Sequence, residues 1–283
     1  MSSSGTQNIH SKTEKLKVGS DLPFYLIFSV IGSIYLFLII GILAADAAYI
    51  FGESSEEGSE NPILRALADP NIQYSIKLTL ISCTVSTILS LWVAIPIGYL
   101  LSRFNFPGKN FLDAILDIPI VLPPLVVGLS LLILFMFLPE SLRDLVVYQI
   151  PAVILAQFMV AAAFAVRTLR ATFDQIDRRR EQVALTLGCT RAQAFGMVVL
   201  PEARRGCLTA ATLAWARSLG EFGPLLIFAG ATRGKTEVLS TTVFLELSIG
   251  NLEAAVAVSL IMVFAAVVIL VIARVWGSRE LGV

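Results

Sequence analysis

The residues best suited to chemistry in this sequence are an arginine and a glutamate in an otherwise largely apolar stretch. Arg217 and Glu221 lie in the segment AWARSLGEFG, which Gly220 and Gly223 interrupt. At a spacing of i and i+4, their side chains share one helix face and can pair. The two glycines would let another backbone or a polyatomic solute come close. Two interpretations follow: Arg217 borders a path for anions, or the pair is an internal salt bridge that fixes helix packing.

The sequence offers little else for catalysis or for metal and nucleotide binding. His10 is the single histidine, and the three cysteines lack metal-ligand spacing. The stretch GATRGKT at 230–236 is one residue short of a phosphate-binding G-x4-G-K-T loop, and no buried strand precedes it. We therefore expect no catalytic residue, no metal site and no cofactor in this chain.

The composition indicates an integral membrane protein. Of the 283 residues, 56% are hydrophobic and only 15% are charged, whereas soluble domains carry roughly a quarter charged residues. The mean hydropathy is +0.81. The net charge is zero, so the sequence lacks the excess of basic residues that is typical of proteins that bind nucleic acid.

Six apolar stretches are long enough to cross a bilayer, which takes about 20 residues. The predicted fold is therefore all-α, a membrane bundle of six transmembrane helices. The spans are predicted at about 22–46, 74–102, 112–138, 150–171, 203–229 and 252–275. The first could instead be a signal peptide, since Ala45-Asp46-Ala47 resembles a cleavage site, but its apolar run is longer than such signals have.

Prolines interrupt the second and third predicted spans. Pro96 lies in the second, and Pro119, Pro123 and Pro124 lie in the third. Broken helices are tolerated at membrane depth where neighbours or a cavity satisfy the freed carbonyl groups. The stretch 118–128 is therefore either a kinked wall of a solute path or an irregularity of packing.

Positive charge orients the bundle. With six spans, fifteen of the lysines and arginines fall on one side, most of them around the segment 167–205, and five fall on the other. The acidic segment 53–60 fits the outer side. Both termini and the loop after the fourth span are therefore predicted to be cytoplasmic, with residues 1–21 as a polar cytoplasmic tail and 22–283 as the transmembrane domain.

The cytoplasmic loop carries its own helix signals. Asp177 can cap a helix that begins near Arg178, and Gly188 suits the left-handed residue that ends it. Thr190 and Gln193 have the spacing of a capping box for a second helix. An ordinary helix-turn-helix loop would show the same signals.

The spacing in this loop resembles the EAA loop of binding-protein-dependent ABC importer permeases. That pattern is E-A-A, three residues, Gly, nine residues, Ile, one residue, Leu-Pro, and it aligns on Gly188. Gln182 stands where the family has glutamate, so an ionic contact from that place is in doubt. The matching places, predicted to contact an ATPase, are Gln182, Ala184, Gly188, Val198, Leu200 and Pro201. Pro201 also suits the first turn of the next span.

Three further segments resemble the molybdate-transporter permease and its sulfate and tungstate relatives. They begin at residues 106, 165 and 216 and include the run RSLGEFG. The resemblance implies a homodimeric pore in a prokaryotic inner membrane, two ATPase subunits that hold ATP and Mg²⁺, and a solute-binding protein outside. Residues 178–201 would be the coupling loop, and the candidate path would include Pro123, Pro124, Arg217, Gly220, Glu221 and Gly223.

The predicted function is therefore the permease subunit of an ATP-driven importer for a tetrahedral oxyanion, with molybdate favoured. A sulfate, thiosulfate or tungstate permease is the alternative within the class. A secondary transporter or channel that uses Arg217 and Glu221 as a coupling pair is the alternative from another class, and a non-transporting scaffold is a third.

Overall fold

The computed structural model describes residues 22–53 and 62–279, and every regular element within them is helical, which confirms the predicted all-α class. Contacts between Cα atoms divide the chain into two units, Met1–Ala48 and Tyr49–Val283. The described part of the first unit is most of helix α1, Leu22–Glu53, which is apolar and long enough to cross a membrane. The predicted tail at 1–21 lies outside the described residues.

The second unit is built from eleven helices in the part of the chain that is described. Two π-helical turns, Phe195–Val199 and Leu225–Ala229, accompany them. The helices are α2 (Pro62–Ala68), α3 (Pro70–Arg103), α4 (Lys109–Val121), α5 (Pro124–Met136), α6 (Glu140–Val146), α7 (Ile150–Gln175), α8 (Arg178–Thr186), α9 (Arg191–Ala194), α10 (Leu200–Leu219), α11 (Leu239–Ser248) and α12 (Leu252–Arg279).

Helices α3 and α7 pack closely along the centre of this unit. A run of small side chains on α3 makes this possible, because small residues let two backbones approach in a membrane bundle. A β-carbon on Gly98 would lie only 3.1 Å from the backbone nitrogen of Arg170. The hydroxyl of Ser86 donates a hydrogen bond of 2.9 Å to the carbonyl oxygen of Ile154. The buried small residues of α3 are Ser75, Thr79, Ser82, Cys83, Ser86, Thr87, Ser90, Ala94, Gly98 and Ser102.

The third predicted span is a bent pair of helices rather than one straight helix. Helix α4 ends at Val121, α5 begins at Pro124, and their axes differ by 111°. Pro123 and Pro124 cause the break, since neither has an N–H for a helical hydrogen bond. Pro96, by contrast, lies inside α3, which continues past it to Arg103.

The fifth predicted span, 203–229, is also interrupted. Helix α10 ends at Leu219, the chain turns through Gly220, and a π-helical turn resumes at Leu225. Glycine and proline end helices, and Gly220, Gly223 and Pro224 all fall in this break. Within the described residues, four helices can cross a membrane by length and composition, or five segments if α4 and α5 count as one span. The count of six spans stays a prediction.

Candidate functional site

The first helix of the predicted cytoplasmic loop has the ends that its sequence predicts. The Asp177 carboxylate accepts a 2.9 Å hydrogen bond from the Arg179 N–H at the start of α8. At the other end, Gly188 has φ +92°, the left-handed conformation. The Gly188 N–H donates to the Leu185 carbonyl and the Cys189 N–H to the Ala184 carbonyl, each at 3.1 Å. This is the Schellman pattern that closes a helix.

The second helix of the loop also starts as predicted but does not end before Pro201. The capping box of Thr190 and Gln193 is present, with hydrogen bonds of 2.8 and 3.3 Å. Helix α9 then continues through the π-helical turn into α10, with αR backbone at each junction. Pro201 therefore lies within a continuous helical run. In the π-helical turn before it, the Leu200 N–H donates to the Phe195 carbonyl. This irregular turn is compatible with Pro201, which has no N–H of its own to donate.

The loop presents apolar side chains to its surroundings. Leu187 is 80% exposed, and Val183 and Met197 are also exposed. Val183 and Leu187 are four residues apart on α8 and so share one helix face, which could form part of a surface that binds another protein. Of the residues predicted to contact an ATPase, Gln182, Gly188 and Pro201 are exposed, Val198 and Leu200 are half-buried, and Ala184 is buried.

A buried charged contact anchors α8 to the end of α3, and the sequence reasoning missed it. The Glu181 carboxylate lies 3.2 Å from Nε of Arg103, and these side chains are only 11% and 5% exposed. The Tyr99 hydroxyl donates a hydrogen bond to the same carboxylate. Within the loop, Glu181 is simply an acidic residue in the first turn of α8, where the helix dipole favours it, and nothing local to the loop points to Arg103.

The structure brings Arg217 and Glu221 together, as predicted, although Glu221 lies beyond the end of α10. Their side chains approach to 2.9 Å, with Arg217 30% exposed and Glu221 1% exposed. The Arg217 guanidinium lies 5.8 Å from the ring centre of Phe164, and the Glu221 carbonyl accepts a 2.7 Å hydrogen bond from Ser240. Arg217 is therefore the partly accessible charge of the pair, and Glu221 is the enclosed one.

The break after α10 packs against the start of α5 through glycines and prolines. A β-carbon on Gly223 would lie 2.7 Å from Cβ of Pro124, whereas one on Gly220 would meet nothing closer than 3.8 Å. Pro123 precedes the first turn of α5. The structure thus brings Gly223 and Pro124 into contact and leaves space beside Gly220.

Two further ion pairs join α4 to α7 and were not anticipated. Asp117 pairs with Arg167, and Asp113 pairs with Arg170. Their spacings, four apart on α4 and three apart on α7, are those of residues on one helix face, which is a signal that could have suggested the pairing. A cavity of about 450 Å³ beside them is lined by Asp117, Ile120, Val121, Phe164, Arg167, Thr168 and Leu213.

Comparisons with known proteins agree on one family. The profile of the family described as "Binding-protein-dependent transport system inner membrane component" matches residues 94–278. The molybdate/tungstate transport system permease protein WtpB of Pyrococcus furiosus is 38% identical over 165 residues, which span 58% of this chain and 64% of that protein. The sulfate transport system permease protein CysT of Escherichia coli is 33% identical over 219 residues, 75% of this chain and 79% of that protein.

Solved structures show the same fold. A bacterial ABC transporter involved in the import of the acidic polysaccharide alginate matches with a TM-score of 0.70 and 18% identity, over 92% of this chain and 97% of that chain. The alginate transporter in complex with an alginate pentasaccharide-bound periplasmic protein matches with a TM-score of 0.69 and 19% identity, over 92% and 95%. Since the family profile covers more than half of the sequence, the chain belongs to the inner-membrane components of binding-protein-dependent transport systems, and it is a multi-pass permease subunit of an ABC importer rather than an enzyme.

Proposed function

We propose that this permease imports a tetrahedral oxyanion, with molybdate as its solute. The observation that carries the proposal is the identity of 38% with a permease named for molybdate and tungstate. A second support is Arg217, a partly accessible cation in the membrane domain next to the space at Gly220. Ionisable residues inside a membrane domain rarely face lipid, and they commonly line a path for a solute or an ion.

The proposed path runs past the break between α10 and the following π-helical turn. Arg217 would attract the dianion, while Glu221 holds the guanidinium in place from the enclosed side. Gly220 leaves room for a polyatomic solute, and the contact of Gly223 with Pro124 closes the path on the side of α5. Pro123 and Pro124 would let that wall bend.

The proposed partners are an ATPase subunit on the cytoplasmic side of the membrane, a second copy of this chain, and a solute-binding protein on the outer side. The exposed apolar side chains Val183, Leu187 and Met197 offer a surface on which an ATPase subunit could seat. Two such subunits, which would hold ATP and Mg²⁺, would act on a pore made of two copies of this chain. A solute-binding protein would deliver the anion from outside. Closure of the ATPase pair would pull the two coupling loops together and open the pore outward, and hydrolysis would reopen it inward.

Sulfate is the second candidate solute. The 33% identity to a sulfate permease extends over more of this chain than the match to the molybdate/tungstate permease does. Sulfate, molybdate and tungstate are all tetrahedral dianions, so the shape of the path alone separates them little. Thiosulfate belongs with sulfate in this alternative.

The test is uptake by the complete complex in proteoliposomes. The permease is co-purified with its ATPase subunit, reconstituted and supplied with its binding protein, ATP and labelled molybdate. We expect uptake that requires ATP and is suppressed by unlabelled molybdate or tungstate at concentrations where sulfate has little effect. Stronger suppression by sulfate would reassign the solute. Uptake that continues without the ATPase subunit would instead indicate a channel or a secondary transporter.

A further inference from the structure

We infer that Arg103 and Glu181 transmit the movement of the coupling loop to α3, and so act as positioning residues for transport. This inference rests on the proposed role of residues 178–201 as the loop that an ATPase moves. It adds the receiving element, α3, which is distant in sequence from the loop, whereas α7 and α10 adjoin the loop along the chain.

The ion pair between Arg103 and Glu181 is buried, and Tyr99 also contacts the carboxylate. The Glu181 carboxylate lies 3.2 Å from Nε of Arg103 and accepts the hydrogen bond of Tyr99. Nη1 of Arg103 also donates to the carbonyl of Ile176, just before the loop begins, at 3.2 Å. Because both charged side chains are almost wholly buried, the contact is not loosened by solvent as a surface ion pair is.

Other contacts from the loop converge on the same end of α3. Arg178 Nη2 donates a 2.5 Å hydrogen bond to the carbonyl of Ser102. The ring of Phe195 packs against Tyr99 with centres 4.7 Å apart, and Arg191 lies 5.5 Å from the ring centre of Phe104. Both short helices, α8 and α9, are therefore fixed to the last turn of α3 and the residue that follows it.

Helix α3 can carry this movement across the whole domain. It runs without interruption for 34 residues, a length of about 51 Å at 1.5 Å per residue. At its far end, the Tyr74 hydroxyl donates to the carbonyl of Lys235 at 3.1 Å, and Thr79 Oγ1 accepts from the backbone N–H of Leu239 at 2.9 Å. Residues 235–239 lead into α11, so one continuous helix, which contains Pro96, joins the coupling loop to these residues.

The ion pair between Arg103 and Glu181 is better suited to transmitting movement from α8 to α3 than to stabilising the fold. Burying two charges costs several kcal/mol per ion before their attraction offsets it, and apolar pairs of similar volume often stabilise a fold as well. The buried ion pair, together with the hydrogen bond that Tyr99 donates to the same carboxylate, instead ties α8 to α3 at one defined place. A movement of α8 would therefore be passed to the end of α3.

The test measures assembly and coupling separately. Glu181→Gln and Arg103→Gln are each purified with the ATPase subunit, and the amount of bound ATPase, the ATP hydrolysis rate and the solute carried per ATP are determined. Each single variant leaves a buried charge unpaired, so we expect a lower yield of folded complex. Per folded complex, we expect normal ATPase binding and continued hydrolysis, with solute per ATP reduced by about tenfold, within the usual range of coupling free energies. The exchanged pair, Arg103→Glu with Glu181→Arg, should recover much of the loss.

A second readout does not depend on the solute. Lys235→Cys is placed in a chain whose Cys189 and Cys207 are replaced by alanine, and its labelling rate is compared with and without ATP and vanadate. We expect nucleotide to change this rate when Glu181 is present and to leave it unchanged in Glu181→Gln. If the unaltered complex carries no oxyanion, the proposed function fails, while this readout still tests the link through α3.

Matched controls separate the inference from a general loss of charge. Arg143→Gln, in an exposed ion pair on α6, should leave solute per ATP unchanged. Three results would overturn the inference. They are normal solute per ATP in both single variants, a labelling response that persists in Glu181→Gln, and loss of bound ATPase in both single variants that the exchanged pair does not repair.

Discussion

Gly128 lies against Pro224 so closely that a β-carbon on the glycine would be 2.7 Å from the Cα atom of the proline. The arrangement is reciprocal, because a β-carbon on Gly223 would lie 2.7 Å from Cβ of Pro124. Gly128 thus accepts Pro224, which follows Gly223, and Gly223 accepts Pro124, which lies one helical turn before Gly128. The start of α5 and the break after α10 meet backbone to backbone.

Alanine at either glycine should destabilise this contact. A β-carbon at 2.7 Å from backbone atoms forces the two segments apart, and overpacking of this kind costs about 1–3 kcal/mol. We expect Gly128→Ala and Gly223→Ala to lower the melting temperature of the purified permease and to reduce uptake. Gly196→Ala is the stability control, since a β-carbon there meets nothing within 4 Å. Equal melting temperatures in all three variants would contradict the packing argument.

The features that the sequence predicted correctly are those that a few neighbouring residues decide. The cap at Asp177, the left-handed Gly188 and the capping box of Thr190 and Gln193 each need only contacts within one helical turn. The all-helical class and the membrane location follow from composition. The family was indicated by a resemblance of the loop around Gly188 and of the segments that begin at residues 106, 165 and 216, which are likewise short stretches of sequence.

The features that the sequence did not predict depend on how distant segments meet. Nothing near Glu181 indicates Arg103, 78 positions earlier, because the contact exists only once α8 lies against α3. The prolines predict an interruption of the third span, but the angle of 111° between α4 and α5 depends on what α5 packs against. The end of α10 at Leu219 was missed because hydropathy averages over the glycines that follow.

The left-handed turn at Gly188 gives a second prediction. Valine in this conformation is strained, by about 1–2 kcal/mol, because its β-carbon crowds the following carbonyl oxygen. We expect Gly188→Val to reach the membrane but to bind less ATPase subunit, as measured by co-purification. Gly188→Asn is the matched control, since asparagine tolerates the left-handed region. Normal ATPase binding and coupled transport by the valine variant would show that the turn does not matter for coupling.

The predicted orientation can be tested by cysteine labelling. Thr186 and Ser248 are exposed, the first on the predicted cytoplasmic loop and the second on the predicted outer side. In a chain with Cys189 and Cys207 replaced by alanine, Thr186→Cys should react only after the membrane is permeabilised, and Ser248→Cys should react in intact cells. Labelling of both from the same side would rule out the orientation and, with it, the cytoplasmic coupling loop.

Glu237 provides a prediction about pH. This carboxyl is buried just before α11, and burial is the main cause that raises its pKa above the ordinary value. The neighbouring carboxylates of Glu246 and Asp69 raise the pKa further. A hydrogen bond from Thr242 and the charge of Arg233 act in the opposite direction.

Because the pKa of Glu237 is higher in the folded than in the unfolded state, the folded protein binds more protons. The free energy of unfolding contributed by this group is therefore full below the ordinary glutamate pKa, about 4.3, and is lost as pH rises through the raised value. We expect the melting temperature to fall less steeply with pH in Glu237→Gln than in the unaltered permease. Glu140→Gln, an exposed glutamate, should keep the original slope. Parallel curves for Glu237→Gln and the unaltered protein would refute the assignment.

The pair of Arg217 and Glu221 gives the last prediction, which separates a structural salt bridge from an anion path. Removing Arg217 leaves a carboxylate that is 1% exposed without its counterion, at a cost of about 3–5 kcal/mol. Removing Glu221 leaves a guanidinium that is 30% exposed and is partly relieved by its surroundings. We therefore expect Arg217→Met to reduce the folded yield more than Glu221→Gln does.

The double variant, Arg217→Met with Glu221→Leu, decides between the two roles. It leaves no unpaired charge, so folding and assembly should recover in either case. If Arg217 attracts the oxyanion, as we expect, uptake per assembled complex stays low in the double variant. Uptake retained by Arg217→Lys would show that the charge, rather than the geometry of the guanidinium, is what the anion needs. Near-normal uptake by the double variant would remove Arg217 from the path. The pair of Arg217 and Glu221 would then be a salt bridge that only fixes helix packing, and the anion would have to pass a different surface of the bundle.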